Sequence, residues 1–480
     1  MDKMRNLVSA LLGLLVLAGL VVGLAWLLGP YGARPDQVAS PLPTPVSPLP
    51  TPTPIEPEPT APSEDWPTLT PPPTWPPLPT PQGTPVVKPG ETPTPAPTRP
   101  PVLLTPIPEG TPPSDLTSLY YVADTGSGPE LRAIGMDKQG RRWSESELAI
   151  GQFPANLVGL HLSPDGRYLA LEFIGDGYAE VEIMERSSGR TWCPLGEPAR
   201  CGGGFWDWTF DNRLLFAPLD AQFGDVIPWG VMVVDLETGQ YTQPPDLPTR
   251  RSGTSRVQNV TASPDRAVLA YSIVEVEDGK AITEIWTTQF DGGDKQLVCR
   301  VKGAINTISW SPAGEQLIYV YQSEPGEFSP AELWLLGTDG GSAGLLATDL
   351  PTSCEPRYRP AWSPDGRYVA FTQLDQPIAF FSAFGLARSN MCVVDTITGQ
   401  ITRLSSFENR EVTFPNWSPD GRFVAFVSTT AAGEGMPYDE TLYSEVWVAS
   451  ADGTQLYAVS GTTRWNYALA WLTPTSVQEE

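Results

Sequence analysis

The chain of 480 residues is poor in the side chains that most active sites need. It contains one histidine, His161. A Ser-His-Asp triad, or general-base catalysis by an imidazole at neutral pH, would have to use that residue. His161 directly precedes a turn between two predicted strands, where a strand residue near the core of a sheet is the simpler interpretation. We also expect no Gly-x-Ser-x-Gly elbow of the α/β-hydrolase kind. The sequence therefore predicts a protein that is not an enzyme.

Cysteine is scarce as well, with five residues in the chain. None of them has the Cys/His spacing of a zinc site, so we predict no structural metal of that kind. Cys193 and Cys201 fall in one connection between predicted repeats and could close a small disulfide loop if the chain is exported. Cys299 and Cys354 fall in consecutive connections and could pair across neighbouring repeats. Cys392, on a predicted strand, is then left as a buried thiol.

Basic residues are far fewer than acidic ones, since 30 lysines and arginines face 55 aspartates and glutamates and give a formal net charge of −25. Such a surface repels phosphate backbones and anionic headgroups, so we predict no nucleic-acid partner. Carboxylates could bind calcium, but the acidic stretches 176–180 and 438–440 do not have the pattern of a calcium loop. We therefore predict no cofactor and interpret these acids as solvated loop charges.

One hydrophobic run is long enough to cross a membrane. Residues 7–28 are almost all apolar, which matches the length of a transmembrane helix. Lys3 and Arg5 precede the run, so residues 1–6 should stay in the cytoplasm and the rest of the chain should be exported. The alternative is a cleaved signal peptide, but the run exceeds the usual apolar region and no small-x-small cleavage site follows it. We predict a single-pass anchor in the cell membrane.

Proline, at 54 residues, is concentrated in one stretch. Between residues 34 and 114 it alternates with threonine, which excludes helix and sheet because proline removes donors and fixes φ. The expected conformation is an extended, disordered polyproline II stalk of roughly 3.1 Å per residue, on the order of 200 Å at full extension. A tether without a defined reach is the alternative, and glycans on the threonines would stiffen it.

The remaining segment, 116–474, is built from repeats, and 475–480 form a short tail. Two copies read Trp-Ser-Pro-Asp-Gly-Arg and four are weaker. They begin at Leu162, Trp208, Ala262, Trp310, Trp362 and Trp417. Successive copies lie about 46 to 55 residues apart, the spacing of propeller blades. Ser-Pro-Asp-Gly favours a type I turn, since proline fixes φ at its second position, and the apolar run that follows is typical of a buried strand.

A second pattern follows every turn, at the same place in each repeat. It consists of an apolar third strand, an Asp/Gly turn and a fourth strand, so each repeat supplies the four strands of one blade. Seven post-turn strands predict an all-β, seven-bladed β-propeller; six or eight blades would follow if a weak copy, above all the one at Trp208, is misassigned. The first unit lacks its turn, whereas residues 467–474 resemble the start of a repeat. We therefore expect the carboxyl end to complete the first blade and close the ring.

The repeats at residues 362–367 and 417–422 resemble those of TolB-type β-propellers, which also occur in the propellers of prolyl oligopeptidase-type peptidases. The resemblance covers 116–474. It implies the propeller fold and the docking of proteins and peptides in the cell envelope, although a fold alone does not define a function. The chain departs from TolB in its anchor and stalk and in the lack of an amino-terminal α/β domain, so no TolB-specific role is carried over. The hydrolase domain that follows the peptidase propellers is not expected either.

Ligand contacts are expected on the rim opposite the Ser-Pro-Asp turns, where the connections are long and variable. The longest, 375–388, contains several apolar residues although a loop there should be exposed, and clusters of this kind often mark binding patches. The candidate contact residues are Phe380, Phe381, Phe384, Leu386, Arg388 and Trp229. The alternative is that the loop folds down to plug the central channel or to cover the rim.

Together these features predict an extracytoplasmic, membrane-anchored propeller that binds a protein, peptide or glycan of the cell envelope without catalysing a reaction. One alternative is a cation-dependent enzyme, a lyase or a lactonase-like hydrolase, with carboxylates at the channel mouth. Another is a structural surface component in which the stalk matters most. Convergent carboxylates around the axis would favour the enzyme, and an aromatic rim without them would favour the binder. The sequence does not indicate an oligomeric state.

Overall fold

Four-stranded antiparallel sheets account for all the strands in the described part of the chain. The computed structural model describes residues 116–124, 129–147, 157–174, 179–195, 202–218, 231–244, 247, 256–277, 280–323, 330–339, 343–351, 356–375, 388–408, 410–430, 443–461 and 465–472. The predicted membrane anchor 7–28, the stalk 34–114 and the tail 475–480 lie outside these residues. Within them, no helix is long and apolar enough to span a membrane.

Seven such sheets form the blades of a propeller, as the repeats predicted. In blades 2 to 7 the strands run in chain order from the innermost to the outermost, and in blade 1 the last strand of the chain is the innermost. Blade 1 contains β1 (Thr117–Asp124), β2 (Pro129–Met136) and β3 (Arg142–Glu147), and blade 2 contains β4 (Leu157–Leu162), β5 (Tyr168–Ile174), β6 (Ala179–Glu185) and β7 (Thr191–Trp192). Blade 3 contains β8 (Gly203–Trp208), β9 (Leu214–Pro218), β10 (Met232–Val234) and β11 (Tyr241–Thr242). Blade 4 contains β12 (Arg256–Ala262), β13 (Val268–Glu277), β14 (Lys280–Gln289) and β15 (Gln296–Lys302).

Blades 5 to 7 follow the same order. Blade 5 contains β16 (Ala304–Trp310), β17 (Gln316–Gln322), β18 (Ala331–Gly337) and β19 (Gly344–Leu350). Blade 6 contains β20 (Ala361–Trp362), β21 (Tyr368–Leu374), β22 (Ser389–Asp395) and β23 (Ile401–Arg403). Blade 7 contains β24 (Arg410–Trp417), β25 (Phe423–Thr430), β26 (Ser444–Ser450) and β27 (Leu456–Ala458). The last strand, β28 (Trp465–Leu472), belongs to blade 1. The weak copy at Trp208 ends the first strand of a complete blade, so the count of seven is confirmed.

The Ser-Pro-Asp-Gly segments form the predicted tight turns between the first and second strands of a blade. Ser418 donates its hydroxyl to the carboxylate of Asp420 at 2.7 Å and accepts the backbone N–H of the first residue of β25 at 2.9 Å. Gly421 has a φ of +70°, a value that side chains disfavour, so glycine suits this position. The same two serine bonds recur at Ser163 and Ser363.

The tryptophan at the end of several innermost strands links its blade to the preceding one. Its indole N–H donates to a backbone carbonyl on the innermost strand of that blade. These bonds run from Trp208 to His161, from Trp310 to Thr261, from Trp362 to Ser309 and from Trp417 to Ala361, at 2.9–3.4 Å. An indole N–H usually finds such a partner when it is buried, so each of these repeats carries its own bond between blades.

The carboxyl end closes the ring, as predicted. β28 is the innermost strand of blade 1 and pairs antiparallel with β1 along its length. The indole of Trp471 on β28 donates to the hydroxyl of Thr117 on β1 at 2.8 Å. Because the first and last strands share one sheet, every blade has four strands and the ends of the described chain are held together.

Irregularities bend most of the innermost strands. The register shifts within β4, β8, β12, β16, β24 and β28, where each pairs with the second strand of its blade. A bulge of this kind inserts a residue and turns the strand. In blade 6 the innermost strand, β20, has only two residues, and a 3-10 turn, Pro356–Tyr358, stands before it. These irregularities shape the wall of the channel that the innermost strands surround.

The structure agrees with only part of what the sequence predicted for the cysteines. Cys299 and Cys392 are free thiols, so the predicted pairing of Cys299 with Cys354 is wrong. Cys299 packs instead into the core between blades 4 and 5. Cys392 is buried in the middle of β22, as predicted. Cys193 is disulfide-bonded, and its predicted partner Cys201 lies outside the described residues, so that pairing stays a prediction.

Candidate ligand site in the central channel

A cavity of about 370 Å³ lies in the central channel. Because the repeat gives the innermost strands a common register, the residue next to the end of each strand arrives at a similar height on the axis. Five of these residues line the cavity, namely His161, Asp207, Thr261, Ser309 and Asn416, and so does Ala470, two residues before the end of β28. The cavity therefore lies towards the rim of the Ser-Pro-Asp turns, whereas ligand contacts were expected on the opposite rim.

His161 lies on β4 and contacts a carboxylate from the adjacent strand β5. Its Nε2 lies 3.2 Å from Oε2 of Glu172, and its ring stacks on Phe205 of blade 3 with the centroids 3.8 Å apart. Burial acts to raise the pKa of the Glu172 carboxyl, but the hydrogen bond with His161 and the charge of Arg359 bring that pKa below its ordinary value. Glu172 is therefore a carboxylate at neutral pH, held by the imidazole.

Asp207 of blade 3 is bonded to two groups of blade 4. Its Oδ2 accepts the hydroxyl of Thr261 at 2.5 Å and the backbone N–H of Ala262 at 3.1 Å, and its Oδ1 accepts the N–H of Trp208. Burial raises the pKa of Asp207 above its ordinary value, even though these bonds and the charge of Arg359 act to lower it. The carboxyl thus joins two blades at the wall of the cavity.

Arg359 enters the channel from the link between blades 5 and 6. The 3-10 turn before it, Pro356–Tyr358, contacts β24 of blade 7 and β4 of blade 2, on the other side of the channel. Arg359 lines both the main cavity and a smaller one of about 160 Å³. Its Nε is buried without a hydrogen-bond partner, and within the described part of the chain it forms no salt bridge with Glu172 or Asp207. Its charge acts on both carboxyls through space.

Trp206 supplies a second N–H group without a partner. It lies on β8 at the register shift between Phe205 and Asp207, and it lines the main cavity. Its indole Nε1 is buried and has no hydrogen-bond partner. By contrast, the side-chain amides of Asn259 and Asn416 in the same wall are bonded to neighbouring strands. The cavity wall therefore combines one carboxyl that is already bonded, that of Asp207, with two residues that carry N–H groups without a bond, Arg359 and Trp206.

The contact residues predicted from the sequence lie elsewhere. Arg388 is exposed at one end of the insertion 375–388, where its backbone carbonyl accepts the N–H of Asp375 at 3.1 Å. The other candidates, whose role stays a prediction, are not among the described residues; they are Phe380, Phe381, Phe384, Leu386 and Trp229.

Sequence reasoning missed most of the channel residues. His161 is a strand residue, as expected, but it lines the channel together with Asp207 and Arg359. One signal was available, because a charged or imidazole side chain directly before the end of a predicted innermost strand is unusual for a buried position. No local signal marks Glu172 or Arg359, since Glu172 meets the channel only through His161 and the position of Arg359 depends on which link reaches the axis.

The pattern Gly-x-Ser-x-Gly does occur once, at residues 340–344, so the expectation that it is lacking is wrong. It falls between β18 and β19, two strands of one blade, whereas a nucleophile elbow joins a strand to a helix. Residues 340–342 are not among the described residues. In the part of the chain that is described, no group of three His, Cys, Asp or Glu side chains is placed to hold a metal ion.

No family model and no curated protein matches this chain. Solved structures that match include an oligogalacturonate lyase in complex with manganese, at 14% identity over 72% of this chain and 85% of that chain, with a TM-score of 0.46. TolB from Acinetobacter baumannii matches at 15% identity over 73% of this chain and 81% of that chain, with a TM-score of 0.38. A nidogen/laminin complex matches at 12% identity over 61% of this chain and 93% of that chain, with a TM-score of 0.38. TolB is thus among the proteins to which the chain is similar, and the seven blades themselves follow from its own strand order.

Proposed function

We propose that the protein is a membrane-anchored binding module that recognises a protein, peptide or glycan of the cell envelope and catalyses no reaction. The state of the polar groups in the channel cavity and directly beside it supports this proposal. The carboxyls of Glu172 and Asp207 already accept hydrogen bonds from the fold. Among the described residues, the N–H groups at Nε of Arg359 and Nε1 of Trp206 have no acceptor. The cavity therefore offers donors to a ligand.

A general base needs a carboxylate that can take a proton from a bound substrate. Glu172 is held by His161, and Asp207 is held by Thr261 and two backbone N–H groups, so a proton on either carboxyl would weaken a contact within the propeller. A buried N–H without an acceptor costs about 1–3 kcal/mol. A ligand that supplies acceptors recovers that cost, which suits the cavity to binding.

In this proposal the anchor predicted for residues 7–28, with residues 1–6 in the cytoplasm, would put the site outside the cell. The stretch 34–114 is proposed as the stalk. The net charge of −25 favours partners with basic patches for the outer surface.

The insertion 375–388 provides a second contact site on the opposite rim, through its phenylalanines. Its ends are tied together by the bond between the N–H of Asp375 and the carbonyl of Arg388. The Asp375 carboxylate also accepts Nη2 of Arg403 at 2.6 Å. An apolar loop on a fixed base is suited to docking, because less of its backbone must be ordered on binding.

The test is capture of envelope components by the immobilised full chain, followed by a binding isotherm with each captured component after purification. Wild type is compared with Arg359→Gln and Trp206→Phe, which remove donors from the cavity, and with a variant in which Phe380, Phe381 and Phe384 are serine. Weaker binding by the cavity variants, with unchanged circular dichroism, supports the channel site. Weaker binding by the serine variant alone moves the site to the opposite rim. Absence of any specific partner for wild type contradicts the proposed function.

The alternative function is catalysis by the channel carboxyls, as in a cation-dependent lyase or lactonase-like hydrolase. One observation favours it. Burial raises the pKa of Asp207 in a cavity that also holds an imidazole, and carboxyls with shifted pKa values often exchange protons with substrates. Turnover of acidic oligosaccharides or lactones by wild type in the presence of calcium, abolished in Asp207→Asn, would replace the binding proposal.

A further inference from the structure

The guanidinium of Arg359 has no carboxylate within salt-bridge distance among the described residues. Acidic residues outnumber basic ones by 55 to 30, yet Arg359 forms no salt bridge within the described part of the chain and its Nε has no hydrogen-bond partner. Other partly buried arginines are paired, as Arg410 is with Glu445 at 2.7 Å and Arg132 with Glu130 at 2.8 Å. An unpaired cation at the wall of a cavity favours a ligand that brings a negative acceptor.

The geometry of the N–H donors limits which anions the cavity can bind. A planar carboxylate matches the fork of a guanidinium and accepts two parallel N–H bonds. The charge of Glu172 and any charge on Asp207 lie nearby, so a dianion such as phosphate is repelled more strongly than a monoanion. We infer that the channel cavity binds a single carboxylate group, with Arg359 as its counter-ion.

The volume limits what can carry that carboxylate. A cavity of about 370 Å³ corresponds to about a dozen water molecules at roughly 30 Å³ each. This space admits a small organic acid or the carboxyl terminus of an extended peptide, but no folded segment. The hydroxyl side chains of Thr307 and Ser309 in the wall are available to polar groups beside the carboxylate. This inference rests on the proposed function, because it names the chemical group that the binding module accepts.

The experiment measures binding to the full chain by titration calorimetry. The probes are acetate, glucuronate, the tripeptide Ala-Ala-Ala with a free carboxyl terminus, the same tripeptide with an amidated terminus, and inorganic phosphate. The expected result is binding of at least one free carboxylate, at least about tenfold tighter than the amide and phosphate. Binding of the small acids alone assigns the site to an organic acid, and binding of the free tripeptide alone assigns it to a chain terminus.

Variants separate the charge of Arg359 from its packing. Arg359→Gln should weaken carboxylate binding by at least about tenfold, and Arg359→Lys should weaken it less, because lysine keeps the charge but not the fork. Glu172→Gln removes a neighbouring negative charge and should tighten binding. Arg190→Gln, at an exposed arginine between β6 and β7, should leave the affinity unchanged. Melting temperatures of all variants identify any that fail to fold.

Four results would overturn the inference: equal affinity for the acid and the amide, a preference for phosphate, no binding of any probe by wild type, or unchanged affinity in folded Arg359→Gln and Arg359→Lys. None of them affects capture of an envelope component by wild type. The carboxylate inference and the proposed function therefore fail separately.

Discussion

Replacing Thr261 by valine should destabilise the junction of blades 3 and 4. Thr261 is 6% exposed and donates its hydroxyl to Asp207 at 2.5 Å. Valine has nearly the same shape but no hydroxyl, so Asp207 keeps only its bonds to backbone N–H groups. A hydrogen bond to a charged group contributes about 1.5–3 kcal/mol to stability. We therefore expect Thr261→Val to lower the free energy of unfolding by about 2 kcal/mol at pH values where Asp207 is ionised.

Thr283→Val is the matched control. Thr283 is fully buried and donates its hydroxyl to the neutral backbone carbonyl of Gly303 at 2.7 Å. A bond between neutral groups contributes about 0.5–1.5 kcal/mol, so the expected loss for this variant is about 1 kcal/mol. Chemical denaturation followed by circular dichroism, in one buffer for both variants and wild type, measures the two losses.

The Thr261 change also has a pH dependence that the control lacks. Burial already raises the pKa of Asp207, and loss of the Thr261 donor raises it further. A carboxyl whose pKa is raised on folding contributes stability below its unfolded pKa, and that contribution is lost as the pH rises through the folded pKa. The deficit of Thr261→Val should therefore shrink as the pH falls from neutral towards the ordinary aspartate value of 3.8. Equal losses in the two valine variants, or a deficit that does not change with pH, would refute this reasoning.

Further predictions concern the other contacts of the ring. Because the pKa of Glu172 is lowered on folding, its carboxylate stabilises the fold at pH values above the ordinary glutamate pKa of 4.5. That stabilisation is lost as the pH falls through the folded pKa. Glu172→Gln should therefore lose stability less steeply than wild type in an acid titration. Trp417→Phe removes a bond between blades and should cost about 1 kcal/mol in chemical denaturation, whereas Trp447→Phe, whose indole N–H has no partner, should not show that loss. Deleting residues 465–472 removes the innermost strand of blade 1 and should abolish the cooperative melting transition, and a variant that still melts cooperatively would contradict closure by β28. Burial raises the pKa of Cys392 to about 12, so mass spectrometry should detect its alkylation only after unfolding.

Local patterns were sufficient for the turns and for the number of blades. A turn such as 418–421 depends on four adjacent residues, because the serine bonds, the proline φ and the positive φ of Gly421 are all set within it. The strand after the turn is apolar over consecutive residues, which is visible without knowledge of its neighbours. Even the weak copy at Trp208 therefore marked a real blade.

Closure of the ring followed from the same repeats by counting. The first unit lacks an innermost strand, and residues 467–474 begin a unit that has no continuation. Pairing of β28 with β1 satisfies both ends at once, since each has a missing neighbour that the other supplies. The disulfide expectation for Cys299 failed because a position in a connection does not show which way a side chain packs.

The channel site depends on contacts that no local pattern records. Asp207 of blade 3 and Arg359 of the link between blades 5 and 6 line one cavity, and Glu172 of blade 2 lies beside it, in contact with His161. Burial sets the pKa of Asp207, and the packing of the link leaves Arg359 without an acceptor. By itself the sequence determined a closed propeller of seven blades, because turns and strands are local. Only the tertiary structure decided which side chains share the channel, because contacts across the axis join residues that are distant in the chain.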